Sequence, residues 1–204
     1  MSKGEIYIVD DDEAVRESLD ALLAAFGYET RSFESARSFL ATCRPDARGC
    51  LLADIRMPDM DGLELQEKAA QSHPGLAVVI ITGHGDVPLA VRAMKSGAVD
   101  FVEKPFTEDV ILRAAENAVR SVETRGKRPS GDEDVARRVA QLTAREREVL
   151  DGLVAGLPNK TIAYDLGISP RTVEIHRARV MEKMQARSLS EPVRLALGVG
   201  IGGG

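Results

Sequence analysis

Four polar signatures in the first half of this 204-residue chain each follow an apolar run, and their types suit one chemistry. They are Asp10-Asp11, Asp54, Thr82 and Lys104. Three carboxylates brought together repel one another unless a cation sits among them, and all-oxygen ligation with sites left for water suits Mg²⁺. A hydroxyl and an ammonium beside them suit a phosphoryl group, one as hydrogen-bond donor and the other as counter-charge. Carboxylate, divalent cation and lysine together can accept a phosphoryl group as an acyl phosphate. A second constellation lies further on. Arg171, Glu174, Ile175 and Ala178 share one helical face with Arg179 beside them, Thr172 is a further candidate in the same helix, and Lys160 precedes them. Arginine reaches phosphate or guanine, glutamate accepts from cytosine N4, and isoleucine meets a thymine methyl, so this face suits a major groove. Lys160 and the N-terminal amides of the flanking helices suit phosphate.

The elements that must position the first set read as repeated strand-then-helix units. Glu5–Val9 is an apolar run ending in Asp10, and a helix follows with Val15, Leu19, Leu22, Leu23 and Phe26 on one face. Tyr28–Ser32 reads as an edge strand and 35–42 as a short helix. Cys50–Ala53 is a buried strand ending in Asp54, and 62–72 is helical. Leu76–Ile81 is the most continuous apolar run and ends in Thr82-Gly83; a helix covers about 87–97. Val99–Val102 is the last strand, then Lys104-Pro105, then a helix over about 107–123. Five strands alternating with five helices predict an α/β fold, a doubly wound five-stranded parallel sheet covered on both faces. In such a sheet ligands gather at the carboxyl ends of the strands, which is where Asp10, Asp11, Asp54, Thr82 and Lys104 fall. A strand-end Asp is often a turn former or helix cap, and Asp12, directly before the first helix, is assigned to that role.

Composition changes after residue 123. Residues 124–132 hold Gly, Pro and Ser and almost nothing apolar, the mark of a linker, with a short helix over 133–141. The remainder is all helix. Thr143-Ala144-Arg145-Glu146 is a capping box, Gly167 stops a helix that Pro158-Asn159 opens, Ser169-Pro170 starts the next, and 188–197 makes a fourth. Residues 159–184 thus read helix, turn, helix, with Val173, Val180 and Met184 facing the core. Glycines from 198 onward predict a frayed tail. Charge divides the same way. Residues 1–124 carry 13 Lys+Arg against 22 Asp+Glu, a net −9, while 142–197 carry 9 against 7, a net +2, so an anionic partner belongs at the back. With 44% hydrophobic and 29% charged residues the chain is an ordinary globular mix, and no apolar run reaches a membrane span. Two cysteines, Cys43 and Cys50, make neither a disulfide framework nor a zinc site. These features predict a reduced, cytoplasmic protein.

Asp10-Asp11, Asp54 followed by Met57-Pro58-Asp59, Thr82-Gly83 and Lys104-Pro105 together resemble the receiver domain of two-component response regulators, over residues 4–123. Leu142–Leu150, Asn159–Ala163 and Ser169–Arg177 resemble the LuxR-type DNA-binding domain, over about 142–197. Receiver plus this four-helix domain is the NarL/FixJ layout, with boundaries here at 1–123, 124–141 and 142–204. The resemblance implies phosphorylation at Asp54 by a sensor histidine kinase. Asp11 and Asp54 would ligate Mg²⁺ directly, Asp10 mainly through water, and the Arg56 carbonyl would add a ligand. Thr82 and Lys104 would hold the phosphoryl oxygens, and Phe101 sits where the family keeps a rotating aromatic switch. Arg56 and His84 occupy positions that tune acyl-phosphate hydrolysis. Thr82–Pro88 and Ala155–Lys160 resemble the nitrogen-fixation branch, which implies a haem-based, FixL-like oxygen-sensing kinase as donor. It also implies activation of nitrogen-fixation or oxygen-responsive genes, with RNA polymerase a further partner.

Two rival readings stand beside this one. Asp10-Asp11-Asp12 fits the nucleophile motif of haloacid-dehalogenase-type phosphatases, but the second acid expected soon after Gly85-Asp86 is missing before Asp100, and Asp54 goes unused. A receiver acting through protein contacts alone, with the back domain as adaptor, is the other. Neither the preferred reading nor the adaptor is an enzyme in the usual sense. On the wheel of the 87–97 helix, Val91 falls off the face formed by Ala90, Ala93, Met94 and Gly97, beside Lys95. Val91 and Lys95 are therefore the expected face of a homodimer that forms on phosphorylation of a resting monomer, the pairing implied by the resemblance.

Overall fold

A computed structural model describes residues 3–83, 87–124, 132–186 and 190–198. His84, Gly85-Asp86, linker residues 125–131 and the tail from 199 lie outside the described residues. The chain divides into two compact units: residues 1–84 with 96–126, and residues 85–95 with 127–204.

The first unit is built on β1 (Glu5–Val9), β2 (Glu29–Phe33), β3 (Gly49–Asp54), β4 (Leu76–Thr82) and β5 (Asp100–Glu103), all parallel, in the order β2-β1-β3-β4-β5. Every residue of β3 and β4 is buried, as their unbroken apolar runs require of strands covered on both faces. The covering helices in this unit are α1 (Glu13–Ala25), α2 (Ala36–Thr42), α3 (Gly62–Ser72) and α5 (Glu108–Glu123). Ile6, Ile8, Leu52, Val79 and Ile81 share one core with Leu19 and Leu23 of α1 and Ile111, Ala114, Ala115 and Ala118 of α5. Each fully buried Leu or Ile contributes about 1.5–3 kcal/mol. The Asp12 carboxylate caps α1, accepting from the Ala14 and Val15 amides. It is thereby spent on the helix end, which removes it from the acid–base role the phosphatase reading needs.

The second unit holds α4 (Val87–Lys95), α6 (Asp132–Ala140), α7 (Ala144–Val154), α8 (Asn159–Leu166), α9 (Pro170–Lys183) and α10 (Ser190–Gly198). Thr143 and Glu146 form the reciprocal capping box that opens α7. Gly167 closes α8 at φ +65°, where a residue bearing a Cβ is strained, and Ser169 caps α9 with Pro170 in its first turn. Val135, Val139, Leu150, Val154, Val180, Met184 and Ala196 form one core cluster of this unit.

Two expectations need correction. α4 ends at Lys95 rather than 97, ahead of Gly97 at φ +95°. Val91 is buried, only 3% exposed, instead of facing solvent. A Cβ built on Gly156 would stand 3.5 Å from the Val91 side chain, so the valine closes over a glycine that follows α7. A wheel of one isolated helix leaves out that neighbour. Lys95 is exposed.

Candidate functional site

Register decides which side chains meet. Val9 lies level with Ala53 on the neighbouring strand, so Asp10 and Asp54 leave the sheet side by side. Asp54 pairs with Ile81, one residue before Thr82, and Thr82 pairs with Glu103, one residue before Lys104. The Lys104 amide donates to the Thr82 carbonyl at 2.7 Å. This is the carboxyl edge of the sheet on both sides of the β1/β3 switch in strand order, the crevice where open α/β sheets bind ligands.

There the Lys104 ammonium donates to Asp10 Oδ2 at 2.7 Å and to Asp54 Oδ1 at 2.8 Å. Both carboxylates are buried, and the lysine side chain is about a quarter exposed. Burial drives the Asp10 carboxyl pKa up, and its bonds to Lys104 and to the Asp12 amide only partly offset this. Burial also works to lower the Lys104 pKa, but its bonds to Asp10 and Asp54 outweigh that and hold it raised, so the ammonium stays charged. The remaining oxygens are engaged too. Asp10 Oδ1 accepts from the Asp12 amide at 3.0 Å, and Asp54 Oδ2 accepts from the Arg56 amide at 2.6 Å. Each carboxylate is thus fixed in rotation by two donors, the Lys104 ammonium and a backbone amide.

Thr82 is completely buried at the end of β4, and Phe101 is buried in β5 opposite Ile80. Asp11 is exposed next to buried Asp10, and among the described residues no three acidic, His or Cys side chains come together as a ready-made metal cage. The Lys104 ammonium places a positive charge between the two carboxylates. Asp10 Oδ2 and Asp54 Oδ1 nevertheless converge on one point, a donor pair of the hard oxygen type that fits Mg²⁺. Arg16 and Gly62 are additions that motif reading misses. Arg16 donates from Nη1 to the Asp10 carbonyl at 2.8 Å, and nothing in its spacing marks it. Gly62 opens α3 so close to Asp54 that a Cβ there would stand 2.4 Å from the Asp54 carbonyl oxygen.

In the second unit, Arg171, Glu174, Ile175, Ala178 and Arg179 are exposed on α9 while Val173 and Val180 are buried, and Lys160 is exposed on α8. Ile175 is 48% exposed, a branched apolar side chain held in water. Thr172 is half-buried, its hydroxyl bonded to Ser169 Oγ at 2.8 Å, so it serves the cap of α9. Two unpredicted ties hold α9. Arg177 donates to Asn159 Oδ1 of α8 at 3.1 Å, and Lys183 donates to Glu146 Oε2 of α7 at 2.6 Å. The Lys183 ammonium beside buried Glu146, with the Thr143 amide, lowers its carboxyl pKa to about 2.

Comparison with known proteins bears on both units. The family described as "Response regulator receiver domain" matches residues 6–116, and "Bacterial regulatory proteins, luxR family" matches residues 140–196. The chain is 50% identical over 200 residues to "Transcriptional regulatory protein FixJ" of Bradyrhizobium diazoefficiens, covering 98% of each. It is likewise 50% identical over 203 residues to the protein of that name from Rhizobium meliloti, covering 99% of each. Among solved structures, full-length FixJ from B. japonicum matches with a TM-score of 0.58 at 51% identity, covering 98% of both chains.

Proposed function

Because the chain belongs to the two-component response regulators that join a receiver to a LuxR-family DNA-binding domain, and is a transcriptional regulator of that family, we propose that Asp54 is its phosphoacceptor and α9 its reading helix. Residues 1–123 form the phosphoacceptor domain, 124–141 the linker and 142–204 the DNA-binding domain. The bridge from Lys104 to Asp10 and Asp54 is the observation that carries the reading, since it holds two carboxyl groups and a charged donor at one buried point.

The donor is a phosphohistidine of a sensor kinase, of the FixL-like kind on the resemblance. An Asp54 oxygen attacks phosphorus, the P–O bond forms as the P–N bond breaks, and the imidazole leaves and takes up a proton from solvent. Lys104 turns from the acceptor oxygen to a phosphoryl oxygen while keeping Asp10, and Thr82 donates to another. Mg²⁺, when bound, would neutralise the incoming charge, and Asp10, Asp54, Asp11 and the Arg56 carbonyl would hold it. Phe101 reports the change from inside the sheet. Pairing follows through the 87–103 region with Lys95 at its face, and it needs Val91 uncovered. The dimer then places Arg171, Thr172, Glu174, Ile175, Ala178, Arg179 and Lys160 on promoter DNA, where it activates nitrogen-fixation or oxygen-responsive genes with RNA polymerase in the cytoplasm. Among the described residues no helix is long and apolar enough to cross a membrane.

One experiment tests the sequence of events. Wild type and Asp54→Asn are treated with acetyl phosphate and Mg²⁺, then followed by intact mass, analytical ultracentrifugation and gel shift. Wild type gains one phosphate, dimerises and shifts promoter DNA. An adduct that persists in Asp54→Asn sinks the acceptor assignment, and a phosphorylated wild type that stays monomeric sinks the dimer.

A further inference from the structure

We propose that Tyr164 is a further nucleic-acid contact, its phenol donating to a backbone phosphate on the flank of the groove that α9 enters. This rests on the DNA-binding reading above. Among the described residues the exposed large hydrophobic side chains are Phe26, Tyr164 and Ile175, and Tyr164 is 87% exposed, the most open of the three.

Its place on α8 is set by two marks. Ile162 faces α7, since a Cβ on Gly152 would lie 2.9 Å from it. Asn159 faces α9 through its bond from Arg177. Going round α8 from α7 past α9, the next exposed positions are Lys160 and, about 40° beyond it, Tyr164. Thr161 and Asp165 are exposed on the other flank, toward α7. Tyr164 therefore points outward from α8 beside Lys160, which lies one turn before it.

The chemistry selects the occupant. A lysine and a phenol one helical turn apart offer a charge and a neutral hydroxyl donor to one run of phosphates, and phosphate contacts of this kind fix register without reading sequence. A phenol is uncharged at neutral pH, so it displaces no counterion. That separates it from Lys160 in a measurable way.

The test is fluorescence anisotropy with the full-length chain on two labelled probes: a mixed-sequence duplex and a duplex selected in vitro by the wild-type chain. Tyr164→Phe should weaken binding about three- to tenfold on both, by the same factor, leaving the slope of log K against log salt unchanged. Lys160→Ala should reduce that slope by about 0.9. Circular dichroism checks that each variant is folded. Tyr164→Phe binding both probes as tightly as wild type overturns the proposal, and so does a loss confined to the selected duplex, which would mean base reading. Unchanged binding with reduced transcription by purified RNA polymerase overturns it in favour of a protein contact. A wild type that binds neither probe overturns the DNA-binding reading itself, and this proposal with it.

Discussion

Lys104 stands between two buried carboxylates, and its removal isolates the effect of their charge. Lys104→Ala leaves Asp10 and Asp54 facing each other without a partner. Because the lysine is partly exposed, the expected cost at pH 7 falls below that of breaking a fully buried pair, about 2–3 kcal/mol. The sign with pH follows from the raised carboxyl pKa values such a variant must have. The penalty is present above them and disappears as pH falls and one carboxyl takes up its proton, so the gap to wild type should close toward about pH 4. Urea unfolding without added metal checks this, and a gap that stays constant with pH would show that charge is not its cause. On the other unit, Glu174→Ala or Ile175→Ala should change base preference by about 1–3 kcal/mol per lost good contact, read by competition among duplexes. At this scale motif reading found the residues at strand ends, because their types are unusual there. It did not find Arg16 or Gly62, whose work depends on backbone atoms that only the fold brings near.

Caps and turns were the most legible parts of the elements. The roles of Asp12, Thr143 with Glu146, Gly167 and Ser169-Pro170 are local, and each is met by a hydrogen bond or a positive φ within a few residues. Contacts between helices were less legible. Glu146 reads as a capping residue, yet it is also the buried partner of Lys183, 37 residues away, and so joins the start of α7 to the end of α9. Its lowered pKa gives a signed prediction. The stabilisation is present above the ordinary carboxylate value and is lost as pH falls from there toward about 2. Circular dichroism across that window should show the helices weakening in wild type. Glu146→Gln should be weaker at pH 7 by about 1–3 kcal/mol and nearly flat across the same window. An equal acid slope in Glu146→Gln would assign that loss to other groups. Val91 fails to match its helical-wheel reading for the same reason that Lys183 was missed, since both answer to a neighbour distant in sequence.

For the molecule as a whole, alternation of strand and helix was enough to define the sheet, and the break in composition and charge separated the two jobs. Membership of α4 in the second unit was not legible, because it depends on contacts rather than on order along the chain. The bond between Asp10 and Lys104 spans 94 residues, and Asp54 joins it from 50 residues away. No shorter stretch of the chain holds the site. Contacts of this separation form late, because loop closure precedes the contacts that reward it. A ribosome-bound chain ending before β5 should take no phosphate from acetyl phosphate, and one long enough to expose β5 and α5 should. Stalled nascent chains of graded length, probed for the adduct, check this, and labelling before β5 emerges would refute it. On the proposed function, phosphate incorporation would double as an assay of folding: only a complete sheet would be charged, so an unfinished or misfolded copy would be silent to the signal.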